Sequence, residues 1–265
     1  MNLPTVSDSI NRMFLEEQNP HSEQAIRLED VSVRYRVPSE RIGTFKEYMI
    51  RFLKRQIKMR TFWALNNVSL EIRRGEVFGV VGNNGAGKST LLKVVARVLR
   101  PTKGRVVVRG KVAPLLELGA GFHPELTGKE NIFLNGALLG FSHRETLDKY
   151  DQIVEFSELG EFINAPIRTY STGMYARLGF SVATASEPDV LIVDEILGVG
   201  DETFRKKCQA RIEDFRKRGA AILLVSHDMP TVEKMCQRAA WLDHGVLKTI
   251  GDPDQVIRVY RESGG

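Results

Sequence analysis

The chain has little sulfur to work with. Its 265 residues hold two cysteines, Cys208 and Cys236, and neither sits at metal-ligand spacing. That excludes a disulfide framework and a thiolate cluster as organising features, and two ordinary thiols fit a reducing compartment. No apolar run approaches the ~18 residues of a membrane span. The N-terminus lacks the charged-then-apolar order of a secretory signal. Internal repeats and low-complexity tracts are missing too. A cytoplasmic protein is the expectation. Neither sign of charge dominates: 38 Lys and Arg stand against 33 Asp and Glu, a net of +5. Such a mild balance fits contact with anionic lipid or nucleic acid and requires neither. Hydrophobic content of 42% is that of a folded domain, and the length admits one large domain or two small ones.

What is present centres on Gly82-Asn83-Asn84-Gly85-Ala86-Gly87-Lys88-Ser89-Thr90, a match to G-x-x-x-x-G-K-[ST]. The glycines let successive backbone N–H groups turn toward phosphate oxygens. Lys88 brings a compact positive charge for the β- and γ-phosphates, and the Ser89 hydroxyl is a ligand for Mg²⁺. Val77–Val81 ahead of the motif reads as a buried strand. Ser89–Arg97 after it reads as a helix with its positive end at the phosphates. A chance match is on the order of one in a hundred for average composition, and the strand–loop–helix context makes it rarer. Nucleotide binding is therefore expected, with ATP and Mg²⁺ as cofactors.

Before the motif, residues 1–24 read as a polar tail. Ala25–Arg36 and Phe62–Ile72 alternate as strands. Between them, about residues 38–60, apolar Ile42, Phe45, Met49, Phe52, Leu53 and Ile57 recur at helical spacing opposite Arg41, Lys46, Arg51, Lys54, Arg55, Lys58 and Arg60. This is a basic amphipathic helix. Packing on its own domain, lying at a membrane surface or against a membrane partner, and touching nucleic acid are the three readings it allows. After the motif, Pro101–Gly104 reads as a turn, Val106–Val108 and Val112–Leu116 as strands, and 119–127 as a loop. Thr127 with Glu130 makes a capping box for a helix, and helical patterns run to about residue 164. This helical subdomain, about residues 119–186, interrupts an otherwise alternating strand–helix chain. Val190–Val193 and Ala221–Val225 are short apolar runs of the parallel-strand kind, joined by a charged helix, Phe204–Arg218. A helix from Thr231, strands Ala239–Leu242 and Val246–Ile250, and a helix from Pro253 complete the order.

Asp194 and Glu195 follow the Val190–Val193 strand, at the sheet edge where ligands of open α/β sheets bind. Asp194 can reach Mg²⁺, and Glu195 can accept a proton from the water attacking the γ-phosphate. His227 ends the next strand and is expected beside Glu195, within reach of the γ-phosphate or that water. Lys88, Glu195 and His227 are thus the candidate catalytic residues.

Taken together, the P-loop, the helical insert, Tyr170-Ser171-Thr172-Gly173-Met174, Asp194-Glu195, Gly200-Asp201 and His227 resemble the nucleotide-binding subunit of an ABC transporter over about residues 25–250. The resemblance implies an α/β fold: a P-loop NTPase core with an antiparallel β subdomain and a helical subdomain. It also implies a Leu-Ser-Gly-Gly-Gln-type motif gripping ATP held by the opposite subunit. Here Ser171 and Gly173 keep its second and fourth positions, while Tyr170, Thr172 and Met174 replace the others. Ser171, Thr172 and Gly173 join Gly82 to Thr90 as nucleotide contacts. An aromatic stacks on adenine ahead of the P-loop in that family; Tyr35 is the first candidate and Trp63 the second. A glutamine that meets Mg²⁺ is replaced, and Glu117 is the nearest polar residue, so Ser89, Asp194 and Glu117 form the implied metal set.

Leu116–Gly128 and Tyr170–Leu178 resemble more narrowly the ATPase subunits of bacterial polysaccharide exporters, which move lipid-linked O-antigen, teichoic acid, capsule or galactan chains. The implied function is ATP hydrolysis driving such a chain across the inner membrane. The implied partners are a transmembrane permease, a second copy of this chain and the membrane surface, with the lipid-linked glycan met only through the permease and no nucleic acid. The chain is expected to lack the C-terminal carbohydrate-binding domain of some O-antigen members. A drug or small-solute exporter is the alternative. A soluble ABC ATPase of ribosomes or DNA and a non-hydrolysing scaffold are the other readings.

Overall fold

The computed structural model describes residues 23–38, 59–115, 118–194 and 201–263. Two sheets carry the architecture. In the first, β1 (Gln24–Pro38) lies between β2 (Met59–Arg73) and β4 (Lys103–Val108), all antiparallel. The second has the order β5-β6-β7-β3-β8-β9. Its strands are β3 (Val77–Val81), β5 (Val112–Leu115), β6 (Val190–Asp194), β7 (Ala221–Val225), β8 (Arg238–Asp243) and β9 (Val246–Gly251). All run parallel except β9, which returns antiparallel along β8.

The unbroken apolar runs of β3, β6 and β7 have a simple cause: both faces of the sheet are covered. Phe78, Val80, Ile192, Leu223 and Leu242 point into one core with the first sheet and with Leu91, Leu92 and Val95 of α1 (Lys88–Val95). Their neighbours Val77, Val81, Leu191, Val193 and Leu224 point into the other core. There they meet α5 (Glu202–Lys217), α6 (Met229–Met235) and α7 (Pro253–Glu262). A parallel sheet buried on two faces has no polar side to alternate with.

A third core lies in the helical layer. Ile132 of α2 (Gly128–Leu138), Ile153 of α3 (His143–Ser157), and Leu178 and Val182 of α4 (Thr172–Ala183) pack together with Leu159, Ile163 and Ile167 from two short 3-10 turns. Thr127 accepts from the Glu130 N–H at 3.2 Å, while Glu130 accepts from the Thr127 N–H at 2.8 Å. Ser142 and Glu145 repeat this capping box at the start of α3, which the sequence reading did not single out.

Several boundaries differ from the sequence reading. Gln24 belongs to β1, opposite Arg73. Met59 and Arg60, expected to close the basic helix, begin β2 and pair with Pro38 and Val37, because the two strands extend their ladder to that point. The rest of that helix lies outside the described residues. Lys103 and Gly104, expected in a turn, start β4, whose ladder to β1 shifts register between Glu29 and Ser32. α6 starts two residues before Thr231, with Asp228 at the N-cap position and Pro230 in a first turn that needs no N–H there.

The helical layer is joined to the main sheet by charge. Arg177 of α4 donates to Glu158 at 2.6 Å and to Asp201 at 2.5 Å, and its guanidinium lies over the Phe204 ring. Lys207 of α5 adds a 2.9 Å bond to Glu158. The Lys207 bond, then Arg177, hold Glu158 below the ordinary carboxylate range. The Phe204 backbone N–H, then Arg177, do the same for Asp201. Depressed carboxylates stabilise the fold above their ordinary pKa, and that contribution is lost as pH falls through the folded values. Arg177→Met is therefore destabilising at pH 7, and its difference from wild type closes below about pH 4. Urea denaturation at a series of pH values measures this. A gap that stays constant down to pH 3 contradicts it.

Both thiols are buried, and burial pushes each up to about 12. Compared with an ordinary thiol, that leaves roughly a thousandfold less thiolate at neutral pH. A small alkylating reagent is expected to leave the native protein unlabelled and to modify both cysteines once it is unfolded. Fast labelling of the native chain contradicts this burial.

Candidate functional site

The carboxyl ends of β3, β6, β7 and β8 share one edge of the main sheet. A cleft of about 570 Å³ opens there, lined by Tyr35, Phe62, Trp63 and Ala64 from the first sheet, by Asn83–Gly85 and Gly87–Thr90 from the P-loop, and by Asp194 and His244.

The P-loop takes its shape from close packing. Gly82 has φ +152°, and a Cβ there would lie 2.1 Å from the Leu242 carbonyl oxygen. Gly87 has φ +108°, and its Cβ would meet the Ala64 carbonyl at 2.4 Å. Both positions admit only glycine. Ala86 adds a bond on the far side, its carbonyl accepting from the Gly245 N–H at 2.8 Å. Gly87 is also the N-cap of α1, and a glycine has no side chain to satisfy the first-turn N–H groups. Those donors, with the helix dipole, suit an anion. Lys88 is buried, and its Nζ donates to the Gly82 carbonyl at 2.5 Å and to the Asn83 carbonyl at 3.1 Å. The ammonium is thus held inside the loop that surrounds the phosphate position.

Asp194 ends β6 and pairs in register with Val225 at the end of β7. It shares the cleft with Lys88 and Ser89. His227 stands exposed two residues beyond β7, on the same sheet edge. Glu195 and Glu117 lie outside the described residues.

Of the two aromatic candidates, Tyr35 and Trp63 both border the cleft. They differ in surroundings. Tyr35 is half-buried and pairs across the ladder with Phe62, ring centroids 5.7 Å apart. Trp63 faces Arg34 and Lys103, whose charges lie 5.5 and 5.7 Å from its ring. Sequence reasoning missed Phe62 and His244. Phe62 becomes visible once the β1–β2 register is known. His244 lies in the turn between β8 and β9, and nothing local aims it at the P-loop.

Ser171, Thr172 and Gly173 do not border this cleft. They form the start of α4, where Ser171 is the N-cap and its Oγ accepts from the Met174 N–H at 3.2 Å. Ser171 and Thr172 are exposed. A Cβ on Gly173 would find only Ser171 Oγ, at 3.8 Å, so packing within the chain gives this position no reason to be glycine. Tyr170 is directed inward: its hydroxyl donates to the Phe162 carbonyl at 2.7 Å, and burial raises its pKa. The P-loop cleft and the start of α4 are therefore separate places on the chain. The loop between β5 and α2 is pinned by fully buried Asn131, which accepts from the His123 N–H at 2.6 Å and donates to the His123, Leu126 and Thr127 carbonyls.

If Tyr35 and Phe62 form the base platform, Phe62→Ala weakens ATP binding more than Trp63→Ala does. Loss of a stacked ring is worth about 1–3 kcal/mol. Equilibrium titration of both variants decides it; the reverse order would assign the platform to Trp63.

The ABC transporter family model matches residues 65–198. The O-antigen export system ATP-binding protein RfbB of Klebsiella pneumoniae is 52% identical over 207 residues, 78% of this chain and 84% of that protein. Its namesake in Myxococcus xanthus is 47% identical over 249 residues, 92% of this chain, which spans 57% of that protein's length. The teichoic acids export ATP-binding protein TagH of Lactococcus lactis is 47% identical over 203 residues, 77% of this chain and 43% of that protein. Among solved structures, an ATP-binding subunit of an ABC transporter aligns with TM-score 0.70 at 23% identity, covering 91% of this chain and 95% of that one. A dimeric ATP-binding cassette in a post-hydrolysis state with ADP and Pi aligns with TM-score 0.67 at 22% identity, covering 86% of this chain and 98% of that one. The P-loop cleft, the separate Ser171 helix start and these similarities have one explanation: the chain belongs to the ABC transporter family, as an ATP-binding protein.

Proposed function

We propose that this chain is the ATP-hydrolysing subunit of an exporter that drives a lipid-linked polysaccharide across the inner membrane. The observation that carries the reading is 52% identity to an O-antigen export ATP-binding protein across 84% of its length. The site supplies the chemistry. ATP enters the cleft with its base on Tyr35 and its phosphates on the Gly82–Thr90 backbone. Lys88 offsets the charge on the β- and γ-phosphates.

The donor set suits Mg²⁺. Ser89 and Asp194 border one cleft, and the described residues hold no group of three His, Cys, Asp or Glu for a tighter cage. Mg²⁺ is characteristically held by one or two protein oxygens together with phosphate and water. When bound it neutralises phosphate charge; Ser89 and Asp194 would hold it, with Glu117 as the further candidate. Glu195 takes a proton from the attacking water, and His227 hydrogen-bonds that water or the γ-phosphate.

The exposed Ser171–Gly173 segment completes the site of a second copy. A hydroxyl and helix N–H groups bind the γ-phosphate there, and Gly173 lets the phosphate approach the backbone. ATP closes a homodimer and hydrolysis reopens it. That motion is delivered to a separate transmembrane permease, through which alone the lipid-linked glycan is met. Among the described residues no helix is long and apolar enough to cross a membrane. In this reading the chain works peripherally, on the cytoplasmic face of the inner membrane. Nucleic acid has no part in the cycle.

Cells carrying Glu195→Gln are expected to accumulate lipid-linked glycan on the cytoplasmic side, while the purified variant still binds ATP. Surface glycan at the wild-type level, with ATPase activity lost, sinks the glycan-export assignment.

A further inference from the structure

The C-terminal helix α7 reaches the P-loop. Its apolar stripe, Pro253, Val256, Ile257 and Tyr260, is buried, and the last three join the core that contains Val81 and Ala239. Tyr260 lies in the last turn of the stripe, 8% exposed. Its ring meets Trp241 edge-on at 6.0 Å between centroids. Trp241 in turn pairs with Val81, the residue immediately before Gly82. This placement brings the tyrosine hydroxyl to the start of the loop, where it donates to Asn83 Oδ1 at 2.8 Å.

Asn83 is a sensitive point to hold. Its carbonyl accepts from Lys88 Nζ at 3.1 Å and from the Ala86 N–H at 3.1 Å. The same residue thus anchors the lysine and closes the loop's tight turn, and its side chain is exposed apart from the contact with α7. A bond to Oδ1 fixes the side chain, and through it the peptide that carries this carbonyl. The Tyr260 hydroxyl comes from 177 residues further along the chain. Nothing local to the loop supplies this restraint.

We propose that Tyr260 is a positioning residue for the nucleotide site, acting through Asn83, and that α7 is thereby energetically linked to ATP binding. The proposal rests on the P-loop being the ATP site. Linkage between two sites is reciprocal. Displacing α7 lowers the affinity for ATP, and bound ATP makes α7 harder to displace.

Tyr260→Phe removes the hydroxyl and keeps the ring against Trp241, and Asn83→Ala removes the acceptor at an exposed position, so both variants keep the fold. Each is expected to weaken ATP binding about fivefold, the size of one net hydrogen bond. The double variant loses no more than either single one, because the two act through one bond. In the wild type, ATP slows amide exchange along α7; in Tyr260→Phe that slowing is lost. Wild-type affinity in Tyr260→Phe, multiplying losses in the double variant, or α7 protection that survives the substitution each overturns the link. A wild-type chain that binds no ATP overturns instead the nucleotide site on which it rests.

Discussion

The structure depends on a loop packed too tightly for side chains at two points. Gly82 rests against the carbonyl of Leu242, and Gly87 against the carbonyl of Ala64. These contacts come from β8 and β2, strands of different sheets, so the P-loop has its shape only when both sheets are assembled around it. The rest of the architecture follows. β3 must be internal, between β7 and β8, for the loop to be backed on one side by β8. The antiparallel sheet must cover the same face for Ala64 to reach Gly87. Backbone donors fixed by such packing need little reorganisation when a phosphate binds, and preorganisation of this kind is what electrostatic stabilisation of phosphoryl transfer requires.

The motif itself was legible because it is local. Strand, loop and helix are consecutive, and each residue type has one physical task. The central strands were legible for a related reason: burial on both faces leaves a short apolar run that little else produces. The capping box at Thr127 could be read from two residues three apart. What escaped is what tertiary pairing creates. Phe62 enters the cleft through its register opposite Tyr35, across an insertion of about twenty residues that gives no clue to register. His244 and Tyr260 reach the loop from the far end of the chain. The early start of β2 escaped for the same reason, since Met59 and Arg60 are strand only because Pro38 and Val37 lie beside them. Glu195 and Glu117 rest on sequence alone.

Two of the three departures from the Leu-Ser-Gly-Gly-Gln pattern, Tyr170 and Met174, have a structural account; the third, Thr172, is exposed and has none. Tyr170 and Met174 pack against the helical core, and the Tyr170 hydroxyl ties the segment to the turn at Phe162. Gly128 makes room for that tyrosine: a Cβ there would lie 2.3 Å from its hydroxyl. Tyr170 and Met174 therefore face the protein's own interior, where a compensating change such as this glycine can accompany them. Ser171 and Gly173, the positions retained, face outward or have open space beside them. An inward position answers to packing, which has many solutions of equal volume.

The helical layer and the main sheet are separate bodies of packing, and Arg177 shows how they are kept in register. It lies on the helix that begins at Ser171, and its guanidinium binds both the end of α3 and the start of α5. Asp201, the second of these partners, is the N-cap of α5. The end of α3 and the start of α5 are thus tied to one side chain of α4. Ion pairs this close to solvent contribute little stability each. Their value here lies in direction: a planar fork donates to its two carboxylates in one arrangement, so it specifies how the layers sit without binding them irreversibly.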